Sequence, residues 1–263
     1  MILFFDTETS GLWRRDLRED HNDQPHLVSL AAQMCDNNEK IVHQISFVFS
    51  PGFFNIPKEA SDVHGISQEY AEEVGLNTKR SLEVFKEMIE KCDTLVAHNT
   101  AFDLQIIDRS FKFFGLHWKK PKNIYCTMMM AKDILKLPGE YKDYKYPKLQ
   151  ESFEHFFHTG QQEYHDALLD VNLCREIYFH MLRQNVEPVE PREIPKELLL
   201  RIEGDKYKNL VKFLKDLDHT KLNEWEMDFC KSVIDKLDKY DEHILLSNKQ
   251  HNVLKKIYGK QNN

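Results

Sequence analysis

The sequence predicts a mixed α/β fold: a sheet with helices on both sides, followed by a small C-terminal helical appendage. Three observations predict it. β-rich runs come first, at Ile2–Phe5, Leu27–Met34 and Ile41–Phe49. From Leu82 to Leu182, amphipathic helical segments alternate with short apolar strands. Beyond the proline-rich stretch Val186–Pro191 the chain becomes densely charged, with helical periodicity. Antiparallel strands followed by alternating helices and strands give a sheet covered on both faces.

Each element has a local reason. Ile2–Phe5 is a short apolar run that meets Asp6 at once, so it reads as a buried strand ending in a polar turn. The runs Leu27–Met34 and Ile41–Phe49 are separated by Cys35-Asp36-Asn37-Asn38-Glu39, a turn-prone spacer that makes them a hairpin. Leu82–Cys92 carries Leu82, Val84, Phe85, Met88 and Ile89 and reads as a helix, and Thr94–Ala97 as a strand. Phe102–Phe114 repeats its apolar residues at Phe102, Ile106, Ile107, Phe111 and Phe114 and stops at Gly115, a helix with a glycine terminator. Ile124–Cys126 closes the strands; Ala131–Leu135, Leu149–Phe157 and Ala167–Leu182 are helical. The division expected is a main domain over 1–185, a linker over 186–195 and a helical region over 196–263, in which Leu198-Leu199-Leu200 falls within the helical pattern.

Composition narrows the function. With 263 residues, 41% hydrophobic and 30% charged, the chain has the make-up of a globular domain with room for a small addition. No apolar run approaches the ~20 residues that span a bilayer, and Met1–Phe5 is too short for a secretory signal, so a cytoplasmic protein without membrane contact is expected. The five cysteines are scattered without CxxC spacing, which speaks against a disulfide framework and against a structural zinc site. The net charge is −7, and residues 1–192 hold 22 basic against 30 acidic residues. A nucleic-acid binder working by basic surface would look different. A site that concentrates carboxylates around metal binds phosphate through that metal.

Four segments carry the chemistry. In Asp6-Thr7-Glu8-Thr9-Ser10-Gly11 the period of a strand turns Asp6 and Glu8 to one side, where two like charges are costly without a cation between them. Such hard oxygen donors suit magnesium or manganese. An exposed acidic turn would account for this segment equally well. In His98-Asn99-Thr100-Ala101-Phe102-Asp103 a strand ends and Asp103 opens a helix, where a plain helix-dipole partner is the simple reading. In His165-Asp166-Ala167-Leu168-Leu169-Asp170 a helix begins near Asp166 and carries Asp170 one turn inside, with His165 at its entrance. His64-Gly65-Ile66 is the shortest of the four.

Together and in this order, the segments resemble the three motifs of the DEDD exonuclease superfamily, in the histidine branch (DEDDh) that includes proofreading subunits of DNA polymerases. The histidine stands five residues before Asp170; the tyrosine branch would place Tyr where Asp166 stands. His64-Gly65-Ile66 matches a smaller element near the substrate in such enzymes, and Tyr144-Lys145-Tyr146-Pro147-Lys148-Leu149 resembles bacterial and phage members. The likeness spans about Met1–Arg183. It departs from the family core in the charged, lengthened loop Arg14–Gln24, placed to alter which substrates enter, and in everything beyond Pro191.

The resemblance implies an RNase H-like fold with a five-stranded mixed sheet, and a 3′–5′ exonuclease in which Asp6, Glu8, Asp103 and Asp170 bind two divalent cations, Mg2+ or Mn2+, with His165 as general base. It also implies a substrate path: the backbone around Thr7 and Thr9 at the terminal sugar, Leu12 and Ile66 against the terminal bases beside His64, and Asn99 and Phe102 flanking the next nucleotide. The expected partner is a nucleic-acid 3′ end, DNA favoured over RNA. An RNA-trimming enzyme like RNase T or oligoribonuclease is the alternative, and an inactive binding module ranks last. The C-terminal helical region is the expected place for a replication or repair protein.

Overall fold

A computed structural model gives the architecture of residues 1–14, 16–139, 144–158, 166–191, 199–201, 205–240 and 245–261. The chain forms two compact units, one of Met1–Leu12 with Pro25–Glu193, the other of Trp13–Gln24 with Ile194–Asn263. Among the described residues no helix is long and apolar enough to cross a membrane.

The first unit is built on five strands: β1 (Ile2–Thr9), β2 (Leu27–Cys35), β3 (Ile41–Val48), β4 (Thr94–Ala97) and β5 (Asn123–Cys126). Their order is β3-β2-β1-β4-β5. β1 pairs antiparallel with β2, and β2 with β3, while β1–β4 and β4–β5 are parallel. The sheet is therefore mixed and five-stranded, with helices against it, as expected. Its helices are α1 (Lys58–His64), α2 (Gln68–Val74), α3 (Thr78–Glu90), α4 (Thr100–Phe113), α5 (Thr127–Leu135), α6 (Leu149–Phe157) and α7 (Ala167–Arg183).

Alternation along β1 sorts its side chains between the two faces. Phe4 meets Tyr178 and Phe179 of α7, with ring centroids at 5.5 and 5.3 Å. Phe5 meets Phe85 of α3 on the other face, at 5.7 Å. Every residue of β2 is buried, as befits a strand between two neighbours and under helices. The core around Phe4, Ala31 and Val96 is completed by Val171, Cys174, Ile177 and Met181 of α7.

Three expectations need correction. β1 runs four residues past Phe5, because Asp6, Thr7 and Glu8 stay in register with Ala31, Leu30 and Ser29; cross-strand pairing overrides the polar composition that suggested a turn. α1 and α2 were not foreseen: at seven residues each, they are too short for periodicity to reveal. The third concerns the leucine run of the second unit. Leu199–Arg201 is a strand, β6, paired antiparallel with β7 (Leu245–Ser247). Three consecutive leucines satisfy either element, and the partner that decides lies more than forty residues away.

Among its described residues the second unit also holds the helices α8 (Asp205–Lys215), α9 (Glu224–Tyr240) and α10 (Asn248–Gln261). Leu214, Leu222, Val233, Leu246, Leu254 and Ile257 form its own core. In its 13–24 segment, the side-chain amide of Gln24 donates to the carbonyls of Arg14, Leu17 and Arg18 and accepts from the Arg14 amide, closing that loop.

Candidate active site

The site lies at the carboxyl end of β1, beside β4, where the sheet changes from antiparallel to parallel pairing. Ligands of open α/β sheets sit at such strand ends. Asp6 and Glu8 share the strand face that Phe4 occupies, toward α7. Asp170 stands in the first turn of α7, buried. The three carboxylates converge, each offering an oxygen within 4.8 Å of the others.

The fourth acid arrives from the other side. Thr7, pointing opposite to Asp6 and Glu8, donates to Oδ1 of Asp103 through its hydroxyl at 2.7 Å and its amide at 3.2 Å. Asp103 is buried in the first turn of α4, and two donors from β1 fix its orientation. The geometry thus gathers Asp6, Glu8 and Asp170 and sets Asp103 next to them.

These acids raise one another's proton affinity. Burial, and then Asp103, Glu8, Asp170 and Asp166, hold Asp6 well above the ordinary carboxylate range. Glu8 is pushed up to about 8 by burial first, then by Asp170, Asp103 and Asp166. Asp170 rises to about 7 through burial and the neighbouring Asp166. Asp103 also rises to about 7, burial outweighing the Thr7 hydrogen bonds that favour its charge. Oxygen-only donors packed this tightly fit a hard divalent cation, whose charge would relieve the repulsion.

The other residues singled out by sequence fall as follows. The Thr9 hydroxyl donates to the Gly11 carbonyl at 2.7 Å and shapes the end of β1. Leu12 is 82% exposed, which rules out core packing for it. His64 is buried at the end of α1, and its Nδ1 accepts from the Ile66 amide at 3.1 Å, stiffening that short element. Ile66 packs half-buried against Val28, Ile56 and Ala71. Asn99 precedes α4 with φ 71°, a left-handed conformation that asparagine tolerates better than most residues. Phe102 is half-buried, its amide donating to the Asn99 carbonyl. His165 lies outside the described residues.

Sequence reasoning gave no role to three groups that shape the site. The Thr7 side chain was one, hidden because its partner is 96 residues away. His98 is another. Its Nε2 donates to the Pro147 carbonyl at 3.0 Å, so its Nδ1 accepts from the Thr127 hydroxyl at 2.9 Å, and burial pushes its pKa down to about 4. A neutral imidazole thereby ties the end of β4 to the start of α5 and to the segment leading into α6. Its only signal was its position directly after an apolar strand. Asp166 is the third: it caps α7 by accepting from the Leu169 amide and adds negative potential to the acids.

The chain matches the family model described as Exonuclease over residues 3–178. E. coli Exonuclease I in complex with a dT13 oligonucleotide superposes with a TM-score of 0.55 at 16% identity, covering 70% of this chain and 42% of that one. A zinc-bound Exonuclease I–single-stranded DNA complex gives 0.56 at 16% identity, covering 70% and 40%. A third Exonuclease I structure, reported for how processivity is achieved, gives 0.54 at 17% identity, covering 69% and 40%. The match thus spans about two-fifths of the Exonuclease I chains, and it bears out the RNase H-like fold. No curated protein sequence matches significantly. With the family model covering most of the first unit, and Asp6, Glu8 and Asp170 converging at the end of β1 with Asp103 tied to it through Thr7, the chain belongs to this exonuclease family, the DEDD-type 3′–5′ exonucleases.

Proposed function

We propose that the chain releases nucleoside monophosphates one at a time from the 3′ end of DNA, using two divalent cations, Mg2+ or Mn2+, held by Asp6, Glu8, Asp103 and Asp170. The observation that carries the reading is the convergence of Asp6, Glu8 and Asp170 within 4.8 Å, each holding its proton too tightly for a lone carboxylate. Bound there, the cations supply Lewis acidity toward the scissile phosphate and activation of water at neutral pH. The chain's own groups do the rest. Thr7 keeps one Asp103 oxygen occupied as an acceptor, so that carboxylate enters the site with a fixed direction. The acids act as ligands, not as nucleophiles, so no covalent enzyme intermediate forms. His165, by its place five residues before Asp170, accepts the proton of the attacking water on an imidazole nitrogen, the usual role of a catalytic histidine. By family position, the backbone at Thr7 and Thr9, exposed Leu12, the His64–Ile66 element, Asn99 and Phe102 receive the last two nucleotides. DNA is favoured because the structurally similar Exonuclease I was captured with deoxyoligonucleotides.

End-labelled single- and double-stranded DNA and RNA ladders, digested with Mg2+ or Mn2+ and again with EDTA, test the reading. The wild type is expected to shorten DNA from its 3′ end only when metal is present. His165→Ala is expected to slow cleavage by about 10²–10⁴-fold, the usual contribution of a general base, while metal binding persists. Ladders shortened from the 5′ end, or equally well in EDTA, would refute it; a strong preference for RNA would move the assignment to RNA trimming.

A further inference from the structure

We infer that the loop after β3 and the C-terminal end of α4 form a second contact for the substrate strand, where unpaired bases upstream of the 3′ end stack on Phe53 and Phe113. The inference rests on the exonuclease reading above and extends its site outward.

Phe53 and Phe113 are 58% and 55% exposed, yet their rings already stack on each other at 4.7 Å and 23°. Apolar surface left open in this way marks a binding site more often than a lone exposed residue does. The pair rests on a packed floor. Phe54 stacks on His26 at 4.6 Å and 11°, Phe53 meets both edge-on at 5.6 and 5.2 Å, and Phe114 abuts Phe113 at 5.0 Å. Held from behind, the outer rings keep a fixed face toward solvent and lose little freedom when something stacks on them.

Three observations select a nucleic-acid strand as the occupant. The first is continuity with the candidate site. Phe54 packs in the same small cluster as Ile66, which stands by family position at the terminal base. His26 is locked to the end of β1, its carbonyl accepting from the Ser10 amide and its amide donating to the Ser10 hydroxyl, both at 2.9 Å, only two residues past Glu8. The second is distance. α4 carries Asp103 in its first turn and Phe113 at its last residue, so the two ends lie about 15 Å apart, within reach of a strand of a few nucleotides. The third is charge. The Arg109 guanidinium lies in the same cleft, donating to the Pro25 carbonyl and to His26 Nδ1 at 3.3 Å. Lys79 and Arg80 are exposed directly after Thr78, which also lines the cleft. Aromatic platforms flanked by cations are how proteins hold single strands without reading sequence. An apolar protein segment would use the rings but has no use for the cations or for the path to the acids.

The test compares a 3-mer and a 12-mer of single-stranded DNA on the full chain, as wild type and as the double variant Phe53→Ala/Phe113→Ala. The 12-mer KM is expected to rise about tenfold, the loss of one base–aromatic stack, with kcat and the 3-mer KM unchanged. The double variant Phe53→Tyr/Phe113→Tyr is expected to behave as wild type, because a phenol ring stacks as a phenyl ring does. A 12-mer KM within about twofold of wild type would overturn the inference and leave the patch to a protein partner. Equal losses on both lengths would also overturn it, since the rings would then serve the fold of the site. Fluorescence anisotropy of a labelled 12-mer in EDTA keeps the two readings apart: a wild type that binds by length through these rings but cleaves nothing contradicts the exonuclease assignment alone.

Discussion

Asp103→Asn is expected to lower the single-turnover rate of 3′ hydrolysis by at least about 10³-fold, the scale set by losing several kcal/mol of metal-borne charge stabilisation. The substitution is chosen for what it leaves intact. An asparagine carbonyl still accepts from the Thr7 hydroxyl and amide, which now meet Oδ1 at 2.7 and 3.2 Å, so the start of α4 keeps its tie to β1. Only the charge goes. A collapse in rate without a fall in melting temperature therefore assigns Asp103 to the reaction and not to the fold. A variant that cleaves at the wild-type rate would remove Asp103 from the ligand set, leaving Asp6, Glu8 and Asp170 as the acids that the geometry brings closest.

The same acids should give metal-free protein an unusual dependence of stability on pH. Burial and neighbouring acids lift Glu8 to about 8, and Asp103 and Asp170 to about 7. In the unfolded chain these carboxyls titrate near 4. Between about pH 4.5 and pH 8 the folded form therefore holds more protons than the unfolded one, and stability falls as pH rises through that window. Groups with raised affinity contribute fully below their unfolded values and lose that contribution as they ionise in the fold, the reverse of an ordinary salt-bridged carboxylate. Glu8 keeps partial contact with solvent, which shrinks the effect. The cluster should still cost on the order of a few kcal/mol at pH 8.5, or roughly 5–10 °C in melting temperature. Thermal melts in EDTA at pH 5.5 and 8.5 read it directly. Glu8→Gln is expected to melt above the wild type at pH 8.5 and to lose that advantage when Mn2+ is added, because a cation bound only to the folded wild type stabilises it. A Glu8→Gln variant that melts below the wild type in EDTA at pH 8.5 would contradict the electrostatic account of the site.

Much of the fold was legible because local signals agreed with tertiary ones. Thr94–Ala97 and Leu149–Phe157 have the bounds read from sequence, each an apolar or amphipathic run between clear breaks. The sheet's mixed character followed from a hairpin preceding the helix–strand alternation. Legibility failed where the deciding partner was distant. The apolar run ended β1 at Phe5 until pairing with β2 carried it to Thr9, and Leu199–Arg201 looked helical until Leu245–Ser247 paired with it. In the site, a period of two was enough to put Asp6 and Glu8 on one side, and the helix entrance at Asp166 was enough to turn Asp170 inward. The opposite alternation, which sends Thr7 to Asp103, and the link from His98 to Pro147, 49 residues on, are contacts that no local pattern encodes.

Anomalous diffraction from crystals soaked in Mn2+ tests the central claim most directly. Two manganese peaks are expected at the end of β1, within about 2.0–2.6 Å of oxygens from Asp6, Glu8, Asp103 and Asp170. Peaks bound elsewhere, or these four carboxylates splayed apart with no metal among them, would contradict it.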